Sequence, residues 1–370
     1  MTAYLMTWKS QTSGRHYRLT PVLNSRNATD LGRNHMSVSV AVCTYNGEEH
    51  LEGQIDSIIE QTHMPDQIIF CDDGSTDETL DILNNYRSEY PHIIELYKNS
   101  SNLGITKNFS KAISKCNGDY IFLSDQDDVW KEDKIKKHIK CHEESNAGVV
   151  FNNALVVNHR LEPITDHWST SEYQSGIAQN PRHCFSELLK YNFMKGCEMS
   201  FSDRVKEYIV PIPDNVPHDY YIAISGSVVS YVSSIEEPLH LYRRHSANES
   251  DWETNKLKKN IASALEKREL SRVKKDVIKW GEFLNQISTI PSDEMLLDKQ
   301  IVCQHLNDRY QFEKNRYEIY NPEQSLLSRH KYIIDNIYGG GYKRFSVKKP
   351  SLYLIKDFLR ATLSSFQSSY

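Results

Sequence analysis

The chain has 370 residues, 39% hydrophobic and 25% charged, with a formal net charge of −5. That is enough apolar chain for one large core or two moderate ones. The acidic balance supplies no global field toward nucleic acid. No apolar run reaches the roughly 18 residues of a transmembrane helix. The seven cysteines are dispersed without Cys-x-x-Cys spacing, which suits reduced thiols in a reducing cytoplasm rather than disulfides or a zinc site.

Residues 1–35 are polar, lack an apolar signal segment, and are expected to be a disordered extension or sequence upstream of a start at Met36. From Ser37 the pattern is regular. Ser37–Thr44 and Gln67–Cys71 read as apolar strands, the first followed by Tyr45-Asn46-Gly47 and the second by Asp72-Asp73-Gly74-Ser75. Between them Leu51, Ile55, Ile58 and Ile59 share one helical face, and Thr76-Asp77-Glu78 opens a helix carrying Leu80, Leu83 and Tyr86. A strand at His92–Tyr97, a helix at Asn108–Cys116, a strand at Asp119–Ser124, a charged helix at Lys131–Glu144 and a short strand at Val149–Asn152 follow. Alternation of this kind predicts an α/β fold built from βαβ crossovers.

In such a sheet the ligand sits beyond the C-terminal strand ends. All three loops there are polar, and one, Asp125-Gln126-Asp127-Asp128, packs three carboxylates into four positions. Asp125 and Asp127 are two apart, so in extended backbone they point the same way. A hard cation, Mn2+ or Mg2+, suits them, with no soft ligand in the adjoining sequence. A turn capping the helix at Lys131 would use the same residues. Asp73 sits where a carboxylate can accept the imide N–H of uracil or thymine, or a ribose hydroxyl, although Gly74 and Asp77 would also make an ordinary turn and cap. Asn102 and Gly104 shape a loop over ribose or sugar, or only a turn. Arg243 and Arg244 are matched to diphosphate oxygens, or are surface charge.

Taken together, Thr44-Tyr45-Asn46-Gly47, Asp72-Asp73-Gly74-Ser75-Thr76-Asp77, Asn102-Leu103-Gly104 and Gly118-Asp119-Tyr120 leading to Asp125–Trp130 resemble the nucleotide-binding half of family 2 glycosyltransferases. The form Ser-Asp-Gln-Asp-Asp-Val-Trp is similar to bacterial rhamnosyl- and glucosyltransferases of O-antigen and capsule assembly. The resemblance implies a GT-A fold, with a Rossmann-like mixed sheet, over residues 36–250, and a mostly helical C-terminal region over 251–370. It further implies a UDP-, dTDP- or GDP-linked sugar donor and an oligosaccharide or lipid-linked acceptor. Thr44, Tyr45, Asn46, Asp73, Asn102, Gly104, Asp125, Asp127, Arg243 and Arg244 would serve the nucleotide-sugar, and Asp127 and Asp128 the metal. Gly196 looks like the glycine of the acceptor loop, Asp219 is placed like the catalytic base, and His245 like a C-terminal histidine near metal and diphosphate. His218-Asp219 departs from the commoner acidic pair, and Glu198 has no counterpart.

The chemistry agrees. Inverting transfer needs one carboxylate to take the acceptor proton and one positive centre for the departing diphosphate. Asp219 also reads as a helix N-cap, and His245 as an ordinary structural histidine. A haloacid-dehalogenase-like phosphatase would place Asp-x-Asp after its first strand, not the fourth. A non-catalytic nucleotide-sugar-binding module would not need Asp219. A dinucleotide oxidoreductase would show Gly-x-Gly-x-x-Gly after the first strand.

Beyond residue 250, Trp252–Gln286 reads as a charged helix with Ile261, Leu265, Val273, Val277 and Trp280 as apolar positions. Residues 343–360 hold six basic residues against one acidic, interleaved with apolar ones. They either lie on an anionic inner-membrane surface, making the protein cytoplasmic and peripheral, or pack on the catalytic domain. Pro350 breaks any single helix there.

Overall fold

Val38, Val40 and Val42 point to one face of the first strand and Ser39 and Ala41 to the other, and all five are fully buried. A strand covered on both faces belongs at the centre of a sheet with helices on either side. The computed structural model describes residues 3–5, 20–22, 36–171, 173–244, 267–346 and 349–363. The chain divides into two units, Met1–Met36 and Ser37–Tyr370. In the first, Ala3–Leu5 pairs antiparallel with Thr20–Val22, and the rest of residues 1–35 lies outside the described residues.

The second unit carries β1 (Val38–Thr44), β2 (Gln67–Asp72), β3 (Ile94–Lys98), β4 (Tyr120–Ser124), β5 (Val129–Trp130), β6 (Ala147–Val157), β7 (Pro163–Asp166), β8 (Met199–Ser202) and β9 (Tyr231–Arg243). They form one nine-stranded sheet in the order β3-β2-β1-β4-β8-β6-β9-β5, with β7 beside β6. Strands β3, β2, β1 and β4 are parallel. β8 runs antiparallel to both β4 and β6, so the sheet is mixed. The helices α1 (Leu51–Ile59), α2 (Thr79–Glu89), α3 (Ile105–Lys115) and α4 (Lys134–Ser145) follow β1, β2, β3 and β5. Next come α5 (His167–Thr170), α6 (Pro181–Leu188), α7 (Asp203–Ile209) and α8 (His218–Val229).

Buried polar groups are spent on joining the strands. The Ser39 hydroxyl donates to Gln67 Oε1 at 2.7 Å and accepts from Gly118 N at 2.9 Å. A Cβ on residue 118 would stand 2.6 Å from Ser39 N, so that crossing requires glycine. On α4, which reads as a charged helix, His138 Nδ1 and His142 Nε2 both bond Ser200 Oγ on β8, at 2.7 and 2.8 Å. Burial pushes both histidines down, His142 to about 4, so this seam is held by neutral rings.

β9 has no signature of a central strand. Glu236-Glu237-Pro238 interrupts it, and its pairing with β6 shifts register on either side of Pro238. The bulge lets a residue without an N–H sit in the ladder.

The C-terminal helices are α9 (Lys267–Thr289), α10 (Lys299–Tyr320), α11 (Leu326–Tyr338), α12 (Gly341–Phe345) and α13 (Pro350–Leu363). Residues 252–266, including Ile261 and Leu265, lie outside the described residues. One apolar cluster runs from the sheet into this region, through Trp280, Phe283, Val302, Phe312 and Tyr342. No helix among the described residues is long and apolar enough to cross a membrane. A buried charge network ties the last helices together. Arg316 Nε meets Asp357 Oδ2 at 3.1 Å, Arg316 reaches Glu313 at 3.1 Å, and Tyr320 and Tyr342 donate to Asp357 at 3.1 and 2.9 Å. Asp357→Ala leaves a buried guanidinium short of one partner and two phenols without acceptors. It is expected to cost about 3–5 kcal/mol, read as a lower urea midpoint at unchanged m-value.

Candidate active site

Three loops meet at the C-terminal edge of β1, β2 and β4. Asp72, fully buried, binds the turn that follows it: its Oδ1 accepts from Gly74 N and Ser75 N, and its Oδ2 from Thr44 Oγ1 at 3.0 Å. Asn46, in the left-handed region at φ 47°, donates its N–H to Ser75 Oγ and accepts from Thr76 N, at 2.9 and 2.8 Å. Asp73 is 4% exposed, and its oxygens accept from Asn99 Nδ2, Leu103 N and Gly104 N at 2.7–2.8 Å. The Asn102–Gly104 loop is thus hung on Asp73, and Gly104 takes φ 82° to reach it. Tyr45 keeps its ring half exposed while its backbone N–H and C=O pair with the Gln126 side chain at 2.8 and 3.1 Å. Gln126, the residue between the two outer aspartates, therefore joins the loop after β1 to the loop after β4. A Cβ at Gly47 would fall 2.4 Å from Gln126 Oε1, so a larger residue there would push the bridging Gln126 side chain aside.

The acidic loop splits into open and buried parts. Asp125 and Asp127 are half-buried, whereas Asp128 is 1% exposed. Burial, then the charges of Asp127 and Asp219, push the Asp125 carboxyl up to about 7, while contact with the Cys197 thiol and the Lys195 charge pull the other way. Asp219, ninety-four positions further along, is thus electrostatically part of this cluster. A divalent cation between Asp125 and Asp127 would offset their repulsion, so the pair fits a hard metal.

Asp128 Oδ1 accepts from Arg243 N at 3.1 Å, and Arg243 Nε and Nη1 donate to the carbonyls of Asp127 and His159 at 2.8 and 2.9 Å. Arg243 is buried and clamps the acidic loop to the end of β9. Arg244 continues the pairing through its N–H to Val157 O at 2.8 Å. His245 lies outside the described residues.

Behind Asp128, one ligand atom each from Asp128, Cys197 and His240 lie within 4.8 Å of one another, all buried. Their protons argue against three open ligands. His240 Nδ1 faces the Asn152 amide nitrogen at 3.2 Å, and that amide is oriented by donating to Asn153 O. The ring proton then sits on Nε2, turned toward Asp128 Oδ2 at 3.9 Å. Burial raises the Cys197 thiol and lowers His240, so one keeps its proton and the other stays neutral. Asp128 Oδ2 and His240 Nε2 are thus buried facing each other without a hydrogen bond. The thiol lies against the cluster although no soft ligand adjoins it in sequence.

The 195–198 loop enters the site at the start of β8. Gly196 packs so closely against α8 that a Cβ there would stand 2.8 Å from His218 Nε2 and 3.8 Å from Asp219 Cβ. Lys134, fully buried, donates to Cys197 O and lies 4.3 Å from the Trp130 ring. Glu198 pairs with His167, whose burial opposes protonation less than the Glu198 carboxylate favours it, leaving the imidazole raised. Sequence reasoning left Glu198 unassigned and passed over Gln126, Lys134, Lys195 and His240. Lys134 resembles any surface lysine until its helix is placed.

Asp219 opens α8, where the helix N-terminus favours a carboxylate. His218 stacks on Phe109 at 4.0 Å. From behind, Tyr220 and Tyr221 pack on Trp280 and Phe283 of α9, with ring centroids 5.4–6.0 Å apart. The helical C-terminal region thus fixes the helix that presents Asp219.

A mixed α/β sheet with acidic loops gathered at one edge is the architecture of a GT-A nucleotide-sugar transferase. The chain carries a family 2 glycosyltransferase domain: residues 39–199 match the family model "Glycosyl transferase family 2". It is 29% identical over 270 residues to the dTDP-rhamnosyl transferase RfbG of Shigella flexneri, covering 70% of this chain and 88% of that protein. It is 34% identical over 116 residues to the putative teichuronic acid biosynthesis glycosyltransferase TuaG of Bacillus subtilis, covering 31% of this chain and 45% of TuaG. In fold it is similar to S. aureus TarS 1–349 in complex with UDP-GlcNAc, with TM-score 0.54, 14% identity, and 90% and 93% of the two chains covered. The chain is therefore related to transferases of polysaccharide biosynthesis.

Proposed function

We propose that the protein catalyses inverting, divalent-metal-dependent transfer of a sugar from a nucleoside diphosphate to a saccharide acceptor, itself lipid-linked, during surface-polysaccharide assembly in the cytoplasm. The observation that carries this reading is the convergence of Asp125 and Asp127 with Asp219 across the Gly196 loop. It supplies one acidic pair for a cation and one separate carboxylate at a helix start. Asp219 would take the proton of the acceptor hydroxyl as that oxygen attacks the anomeric carbon. Asp125 and Asp127 would hold Mn2+ or Mg2+, which when bound supplies positive charge for the leaving diphosphate. Asp128 and Arg243 would keep the loop in place, with Arg244 nearer the diphosphate. Tyr45, on the open side of the β1 loop, would face the base, and the loop braced by Asp73 would close on the ribose. The donor fits a pyrimidine nucleotide: RfbG is named for dTDP-rhamnosyl transfer and TarS is titled with UDP-GlcNAc.

The test is donor turnover with dTDP- and UDP-sugars, with and without excess chelator. Chelation is expected to remove at least about 99% of the rate, restored by Mn2+ or Mg2+. Full turnover in chelator would refute the metal, and retention of anomeric configuration in the product would refute inversion.

A further inference from the structure

The last helices expose a surface that the transfer reaction does not use. α11 and α13 bury Ile333 and Ala361, yet Ile334, Ile337, Ile355 and Phe358 remain 48–52% exposed around an open apolar groove of about 460 Å³. Leu327 and Tyr338, also on α11, are 84% and 88% exposed. Single apolar residues scatter over any surface, but a contiguous set marks something that covers it.

The charge beside the groove is one-sided. In residues 343–360 the sole acid, Asp357, is buried and committed to Arg316, Tyr320 and Tyr342. Arg344 and Lys356 are paired with Asp308 and Glu269, while Lys343 and Lys349 are exposed. On α11 the exposed Lys331 and Asp335 offset each other. Lys343 is on α12, which packs against both α11 and α13, and Lys349 immediately precedes α13, so the exposed charge carried next to this face is complementary to an anionic sheet of headgroups.

We propose that the α11–α13 face docks on an anionic lipid bilayer. Ile334, Ile337, Ile355 and Phe358 enter the boundary between headgroups and acyl chains, and Lys343 and Lys349 lie over the anionic headgroups. Contact is in the plane of the membrane. The inference deepens the lipid-linked-acceptor reading, but vesicle binding is measured without donor or acceptor, so either can fail alone.

The full chain is floated with phosphatidylcholine vesicles containing about one-third phosphatidylglycerol, and with phosphatidylcholine alone. Binding to the anionic vesicles only, weakened by high salt, is expected. Ile355→Glu with Phe358→Glu should weaken it at least about tenfold, with a native circular-dichroism melt and unchanged donor turnover in solution. Lys343→Gln with Lys349→Gln, both at exposed positions, should remove the salt-sensitive part and serves if the first variant does not fold. Absence of binding to anionic vesicles, or binding indifferent to both variants, overturns the proposal. A dimer in light scattering that the Glu variant dissociates, without vesicle binding, assigns the face to a second copy and also overturns it.

Discussion

Asp219→Asn is expected to lower kcat for sugar transfer about a thousandfold, with donor affinity unchanged within about threefold. The asparagine has the shape of the carboxylate and can keep the acceptor oriented, but it cannot take a proton. The helix that carries it is held by Trp280 and Phe283 on one side and Phe109 through His218 on the other, so the substitution should leave the fold intact. Stopped-time transfer assays at saturating donor and acceptor give kcat, and calorimetric titration with the nucleoside diphosphate gives affinity. A variant with more than about a tenth of wild-type kcat would remove Asp219 from the base role.

The second large effect is at Asp125. Its folded carboxyl titrates near 7, against an ordinary value of 3.8, so between those values the folded state holds more of the proton than the unfolded one. Stability conferred by this group is therefore lost as pH rises from about 4 to 7. In chelated buffer at pH 8, Asp125→Asn is expected to be about 4 kcal/mol more stable than wild type, a gain that vanishes below about pH 4. With Mn2+ or Mg2+ the order reverses, because only the wild type has the full carboxylate pair. Its apparent metal affinity should fall about tenfold per pH unit below 7, as protons compete for the same oxygens. Denaturant melts at pH 4 and 8, with and without metal, read all of this. An Asn variant less stable in chelator at pH 8 would show that the carboxylate is compensated without a cation.

The loops after β1, β2 and β4 were legible because their signals are local. Strand, turn and helix succeed one another within ten residues around Thr44, Asp72 and Ser124, and the turn residues Asn46, Gly74 and Gly104 adopt the left-handed backbone that their types allow. The rest was hidden by distance or disguise. β9 carries Pro238 at a bulge, so its strand character comes from β6 and not from its own composition. Lys134, His138 and His142 are polar residues on a buried face, and only the partners Cys197, Ser200 and Asn152 explain them. Arg243 reads as a phosphate ligand from its type, and its hold on the carbonyls of Asp127 and His159 appears only in the fold. Residue type narrows what a side chain can do, and the neighbours decide which of those things it does.

The reversed direction of β8 has a consequence for how such chains diversify. The chain leaves the active edge after Trp130, makes α4, β6, β7, α5 and α6, and returns to the same edge through Lys195–Glu198 because β8 runs against β4. Everything between is a detour with both ends pinned, one by Gln61 on the Lys131 carbonyl and one by Lys134 on the Cys197 carbonyl. Within it β6 and the inner face of α4 are buried, and one exposed stretch is the turn at residues 159–162, where a change need not shift either loop. The β6–β7 turn is then the place where the chain can be lengthened without disturbing the edge that gathers the acidic loops.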